Sequence, residues 1–242
     1  DNDGFKDVYV SNGILKDLLD RDYLTYQANE EKIAQLLRSG TEVITDLIDL
    51  MPSKPIKNAV FKNNGDFTFN DKRTEWGLNE TSFSNGSAYG DLDNDGDLDL
   101  IVNNVNSEAF VYENHSEDYG NNFLSISLKN FPKNINAIGS KVIIYMSNGN
   151  KMMSEQFPSR GFQSSVPNRL HFGLGKDAKI DSLEIYWPNR KRSVLEDIEY
   201  NQFIEIDYQE ISSIDVNPKP TFIKKDVDVD SFIKFTHSEN YY

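Results

Sequence analysis

The sequence predicts a mainly β protein: propeller-type blades carrying a helical insertion, followed by an antiparallel β-sandwich or barrel. Three observations lead there. Apolar residues fall mostly in short runs with strand-like alternation, as in Phe123-Leu124-Ser125-Ile126-Ser127-Leu128. Turn-forming clusters such as Asn64-Gly65-Asp66 and Ser147-Asn148-Gly149-Asn150 separate those runs. An aspartate-rich loop, Asp91-Leu92-Asp93-Asn94-Asp95-Gly96-Asp97-Leu98-Asp99, opens directly onto the apolar run Leu100-Ile101-Val102.

The aspartate loop organises the rest. Five carboxylates in nine residues repel one another unless a cation sits among them. Oxygen-only ligands with a glycine at the sixth position suit Ca²⁺. The side chains of Asp91, Asp93 and Asp95 can converge on one ion. Gly96 permits the turn that brings the backbone back, a carbonyl near Asp97 can serve as a ligand, and Asp99 closes the shell. An EF-hand is excluded, because the twelfth position is Val102 instead of a bidentate Glu and a strand follows instead of a helix.

In chain order, Asp1-Asn2-Asp3-Gly4-Phe5-Lys6-Asp7 copies Asp93 to Asp99, and Val8 to Asn12 copies Leu100 to Asn104. Asp1, Asp3 and Asp7 therefore make a partial second site, whose first ligand position would precede residue 1. A strand is expected at Asp7 to Val10, then a turn at Ser11-Asn12-Gly13. Residues 14–55 are expected to be a helical insertion. Ile33, Leu36 and Leu37 share one helical face, Ile44, Leu47 and Ile48 another, and Thr41 is placed to cap the second helix. From Ile56 to Asn114 short strands and tight turns resume, with Phe67, Phe69 and Trp76 expected in the core. That order of strands and loop is the content of one propeller blade.

The run Phe61 to Phe69, then Ser84-Asn85-Gly86-Ser87-Ala88-Tyr89-Gly90, then the aspartate loop, resembles the FG-GAP/VCBS repeat, the calcium-loop blade also found in integrin α-subunit propellers. The resemblance covers about 56–114, plus the copy at 1–12. It implies Ca²⁺ held by Asp91, Asp93, Asp95 and Asp99, with the Asp97 carbonyl.

After a polar stretch around 116–122, strands are expected at 123–128, 141–146, 151–156, 169–172, 182–187 and 202–207, which is the content of a compact antiparallel sandwich or barrel. Asn136 to Val142, Gly161 to Ser165, Leu170-His171-Phe172-Gly173-Leu174-Gly175 and Ile185-Tyr186-Trp187-Pro188-Asn189 together resemble the ASPIC/UnbV domain over about 121–207. One departure is clear. Where that family has a glycine after its Trp-Pro, this chain has Arg190-Lys191-Arg192, which reads as a solvated turn. The domains expected are thus 1–118, 119–208, and a linker with the opening of a further unit at 209–242.

Composition excludes several functions. A net charge of −14 argues against nucleic acid or an anionic membrane as partner. The absence of cysteine removes disulfides and thiol catalysis, and no apolar stretch is long enough for a transmembrane segment. The three histidines, His115, His171 and His237, sit in no triad-like pattern, and His171 beside Phe172 reads as a packed or hydrogen-bonded residue. The expectation is a non-enzymatic calcium module of a secreted or cell-surface protein (associated with the outer membrane in a Gram-negative bacterium), binding a protein or glycan. The alternatives are a polysaccharide-active enzyme, or a scaffold subunit of an outer-membrane assembly that makes contact through the insertion.

Overall fold

The structure, a computed structural model, describes residues 1–17, 21, 51–177 and 179–216. Most of the expected insertion at 14–55 and most of the expected tail at 209–242 lie outside the described residues. The strands are β1 (Val8–Val10), β2 (Ile56–Lys57), β3 (Ala59–Asn63), β4 (Phe69–Asp71), β5 (Thr81–Ser82), β6 (Ser84–Gly90), β7 (Asp99–Asn104) and β8 (Phe110–Tyr112). A 3₁₀ helix (Ser116–Tyr119) follows, then β9 (Asn122–Lys129), β10 (Lys141–Met146), β11 (Lys151–Glu155), β12 (Leu170–Gly175), β13 (Ile180–Tyr186), β14 (Lys191–Leu195), β15 (Gln202–Asp207) and β16 (Ile214–Asp215).

The chain is mainly β. Its first block consists of three small antiparallel sheets, ordered β1-β3-β4, β2-β5 and β6-β7-β8; among the described residues they do not close into a propeller. Two of these sheets repeat one plan. Val8 pairs with Phe61 and Val10 with Ala59, as Leu100 pairs with Tyr112 and Val102 with Phe110. By this register the connection 11–58 corresponds in sequence to residues 103–109 of the other unit. The first block buries few apolar side chains, chiefly Val60, Leu78 and Val102. A polar cluster holds it together instead: Asn58 Nδ2 donates to Ser84 Oγ at 2.8 Å, and Ser84 Oγ donates to Asn104 Oδ1 at 2.7 Å, all buried. Each bond contributes about 1 kcal/mol, and losing one partner costs more.

The main core lies in the second block, between a five-stranded sheet (β11-β10-β13-β14-β16) and a three-stranded sheet (β12-β9-β15). Alternation makes it. Leu124, Ile126 and Leu128 of β9, Val142, Ile144 and Met146 of β10, and Leu170, Phe172 and Leu174 of β12 all point inward. Leu183 and Ile185 are fully buried, each worth about 1.5–3 kcal/mol of apolar burial. One pairing departs from the antiparallel expectation: β15 runs parallel to β9, Gln202 opposite Leu124 through Asp207 opposite Lys129.

Two further expectations are corrected. Phe67 is wholly exposed and Phe69 is 46% exposed, because Phe67 sits in the turn at φ +66° and β4 is an edge strand exposed along its whole length. Trp76 is half-buried. The Arg190-Lys191-Arg192 run is only partly a turn: Lys191 and Arg192 begin β14, and Arg192 Nη1 pairs with Glu184 Oε1 at 3.1 Å.

Candidate metal centre at the seam of the two blocks

The loop between β6 and β7 is folded by its own carboxylates. Gly96 N–H donates to Asp91 Oδ2 at 3.2 Å, Asp95 N–H to Asp93 Oδ1 at 3.3 Å, and Asp97 N–H to Asp95 Oδ1 at 3.0 Å. Asn94 (φ +64°) and Gly96 (φ +97°) take the left-handed conformations that bend the backbone around the carboxylates. One carboxylate oxygen from each of Asp91, Asp93 and Asp95 then lies within 4.8 Å of the other two. Asp91 Oδ1 is buried and has no hydrogen-bond partner. Three converging carboxylates, one with an orphaned oxygen, fit a hard divalent cation. Burial is the main cause that raises the Asp95 pKa, and the Asp93, Glu117 and Asp91 charges add to it.

Asp99 and Asp97 also hold the chain that leaves the block. Asp99 is buried and accepts Leu92 N–H and Asn114 N–H, both at 2.9 Å. Asp97 Oδ2 accepts Ser116 N–H at 2.8 Å and Ser116 Oγ–H at 3.2 Å. The loop thus grips the connector that leads into β9. Phe123, at the start of β9, lies directly over Gly96.

The N-terminal copy reproduces this geometry. Asn2 has φ +55° and Gly4 φ +96°. Asp3 N–H donates to Asp1 Oδ1 at 3.3 Å and Phe5 N–H to Asp3 Oδ1 at 2.9 Å. Asn63 N–H donates to Asp7 Oδ1 at 2.8 Å, as Asn114 donates to Asp99. The difference is charge. The Lys62 ammonium bridges Asp1 and Asp3, with 2.8 Å to Asp3 Oδ2. By strand register the residue equivalent to Lys62 is Glu113. One loop carries its own cation; the other faces further carboxylates. Asp7 is not brought to the Asp1–Lys62–Asp3 bridge, and burial raises its pKa.

The same N-terminal loop wedges the two blocks together. Asn2 Nδ2 donates to Gly96 O at 2.9 Å, Gly175 N–H donates to Asn2 O at 2.9 Å, and Asn2 Oδ1 lies 2.7 Å from His171 Nε2. The Asn2 backbone runs over Gly173, where a Cβ would come within 2.5 Å of it. His171 is packed as expected, stacked on Phe123 with ring centroids 5.8 Å apart. Burial, with the Arg169 charge beside it, pushes its pKa down to about 4.

Residues 45–102 match the family described as FG-GAP-like repeat, and residues 131–213 match the family described as ASPIC and UnbV. An FG-GAP-like repeat is followed by an ASPIC/UnbV domain. Among curated proteins, the chain is similar to Cartilage acidic protein 1 of Xenopus tropicalis, 33% identical over 144 residues, which is 57% of this chain and 22% of that protein. It is also similar to Cartilage acidic protein 1 of Mus musculus, 31% identical over 129 residues (51% and 19%), and of Homo sapiens, 30% over 141 residues (56% and 21%). The chain spans about a fifth of the length of these relatives.

In the ASPIC/UnbV domain the Trp-Pro turn closes without glycine. Arg190 itself adopts φ +66°, Arg190 N–H donates to Trp187 O at 3.0 Å, and Trp187 N–H to Lys191 O at 2.9 Å. In the first block, a cavity of about 410 Å³ is lined by Tyr9, Trp76, Tyr89, Tyr112 and Tyr119, together with Glu113. The Tyr9 hydroxyl is buried there without a hydrogen-bond partner. Two residues that set the charge around the two loops were invisible to motif reading. Lys62 sits in an ordinary strand, and Glu117 lies in the connector, outside both matched segments. The strand register would have revealed Lys62; nothing in the sequence marks Glu117.

Proposed function

We propose that this chain is a non-enzymatic, calcium-stabilised β module of an exported repeat protein, built as propeller-type blades followed by a sandwich, that binds a protein or glycan. The comparison of the two loops carries the reading. They share backbone and hydrogen bonds, yet Lys62 neutralises one, and among the described residues no Lys or Arg pairs with the carboxylates of the other. Asp91, Asp93 and Asp95 would hold the ion, which would supply charge neutralisation and no bond chemistry. Its effect would reach the connector through Asp97 and Asp99.

Export fits the two domain matches and the likeness to Cartilage acidic protein 1. No helix among the described residues is long and apolar enough to cross a membrane. The aromatic-walled cavity favours a sugar ring or an aromatic anchor as ligand. Three of the four carboxylates around it are engaged: Asp1 with Lys62, Glu75 with Lys72, and Asp7 with Asn63 N–H. That supports binding over a two-carboxylate hydrolysis.

Thermal unfolding of the full chain with Ca²⁺ and with chelator tests the reading, repeated on Asp93→Asn. Ca²⁺ should raise the midpoint by several degrees in the wild type and leave the variant unmoved. An unchanged wild-type midpoint would overturn the calcium assignment. Release of reducing sugar from a polysaccharide, lost in Glu113→Gln, would overturn the non-enzymatic one.

A further inference from the structure

We propose that Asp95, Asp97 and Glu117 form a second divalent-cation position, through which an ion ties the aspartate loop to the connector. The proposal rests on the calcium reading of the loop, since Asp95 belongs to both clusters. One carboxylate oxygen from each of the three residues lies within 4.8 Å of the other two.

Asp97 supplies the independent observation. It is 1% exposed, and its Oδ1 is buried with no hydrogen-bond partner, while Oδ2 is committed to Ser116. A buried carboxylate oxygen without a donor is costly unless a cation, or a proton shared with a neighbouring carboxylate, meets it. Nor does the loop itself account for this side chain. The N-terminal copy makes the same turn with Phe5 at the equivalent place, 52% exposed. The shared plan asks for backbone at that position, so the Asp97 carboxylate is an addition.

Glu117 arrives from outside the loop, on the 3₁₀ helix Ser116–Tyr119, whose first residue Asp97 already holds. Among the described residues, the base paired with this cluster is His115, whose Nδ1 lies 3.5 Å from Glu117 Oε1. Its side chain is 62% exposed and projects to solvent. It meets Glu117, and neither Asp95 nor Asp97. Oxygen-only donors select Ca²⁺ or Mg²⁺ over softer metals. An ion there would clamp the chain that positions Phe123 over Gly96, and so fix how the two blocks dock.

The test is Ca²⁺ stoichiometry on the full chain by equilibrium dialysis in metal-free buffer, for the wild type, Glu117→Gln and Asp93→Asn. Glu117 has a 44% exposed side chain, so its substitution leaves folding intact. Two ions per wild-type chain and one in Glu117→Gln support the proposal, with Asp93→Asn also losing one. One ion in both wild type and Glu117→Gln overturns it and leaves the loop site standing. Equal loading at two ions in both overturns it as well. One ion in the wild type and none in Glu117→Gln would make Glu117 a ligand of a single shared site, again overturning it. No binding in the wild type would overturn the calcium reading itself.

Discussion

Gly96 and Phe123 are packed so closely that a Cβ on Gly96 would lie 2.0 Å from the Phe123 ring. The contact joins the aspartate loop to the first residues of the second block's central strand. Gly96 also sits at φ +97°, so a side chain there is strained twice. Gly96→Ala should lose about 2–4 kcal/mol of stability in urea unfolding, from left-handed strain and overpacking together. Adding Phe123→Ala should recover the overpacking share only. Equal stability of Gly96→Ala and wild type would refute the contact.

Lys62 bridges Asp1 and Asp3 in the N-terminal loop, with its side chain 26% exposed. Lys62→Gln should therefore cost about 1–2 kcal/mol in chelator, less than a fully buried pair because solvent reaches it. Urea midpoints measured in chelator check this. A neutral effect would mean that the bridge contributes nothing.

His171 gives a pH dependence with a definite sign. Its folded pKa of about 4 lies below the ordinary histidine value of 6.5. Between those values the unfolded chain binds more protons than the folded one, so stability rises with pH. The contribution is complete above about pH 6.5 and is lost as pH falls towards 4, amounting to roughly 2–3 kcal/mol. His171→Gln should flatten that part of the stability–pH curve. A curve as steep as the wild type's would assign the effect to other groups.

Arg190 holds a left-handed turn that glycine adopts more easily, with φ +66°. Arg190→Gly should stabilise the chain by roughly 0.5–1 kcal/mol, the relief of strain outweighing the added freedom of the unfolded chain. A lowered melting temperature would show that the arginine side chain contributes more than the turn costs.

The sequence by itself determined the aspartate loop and its copy, because ligand spacing and glycine position are local properties. It also determined most strands, whose inward residues alternate visibly in β9, β10 and β12. Tertiary structure decided what each loop faces. Lys62 reaches Asp1 and Asp3 only because β3 pairs with β1. Glu117 meets Asp95 and Asp97 only because Asp97 holds Ser116. The exposure of Phe67 and Phe69 depended on β4 being an edge strand, and the parallel β9–β15 pair on a return path that no local pattern encodes. Charge neutralisation and burial are set by groups far apart in the chain, so they exist only once the strands have chosen their neighbours.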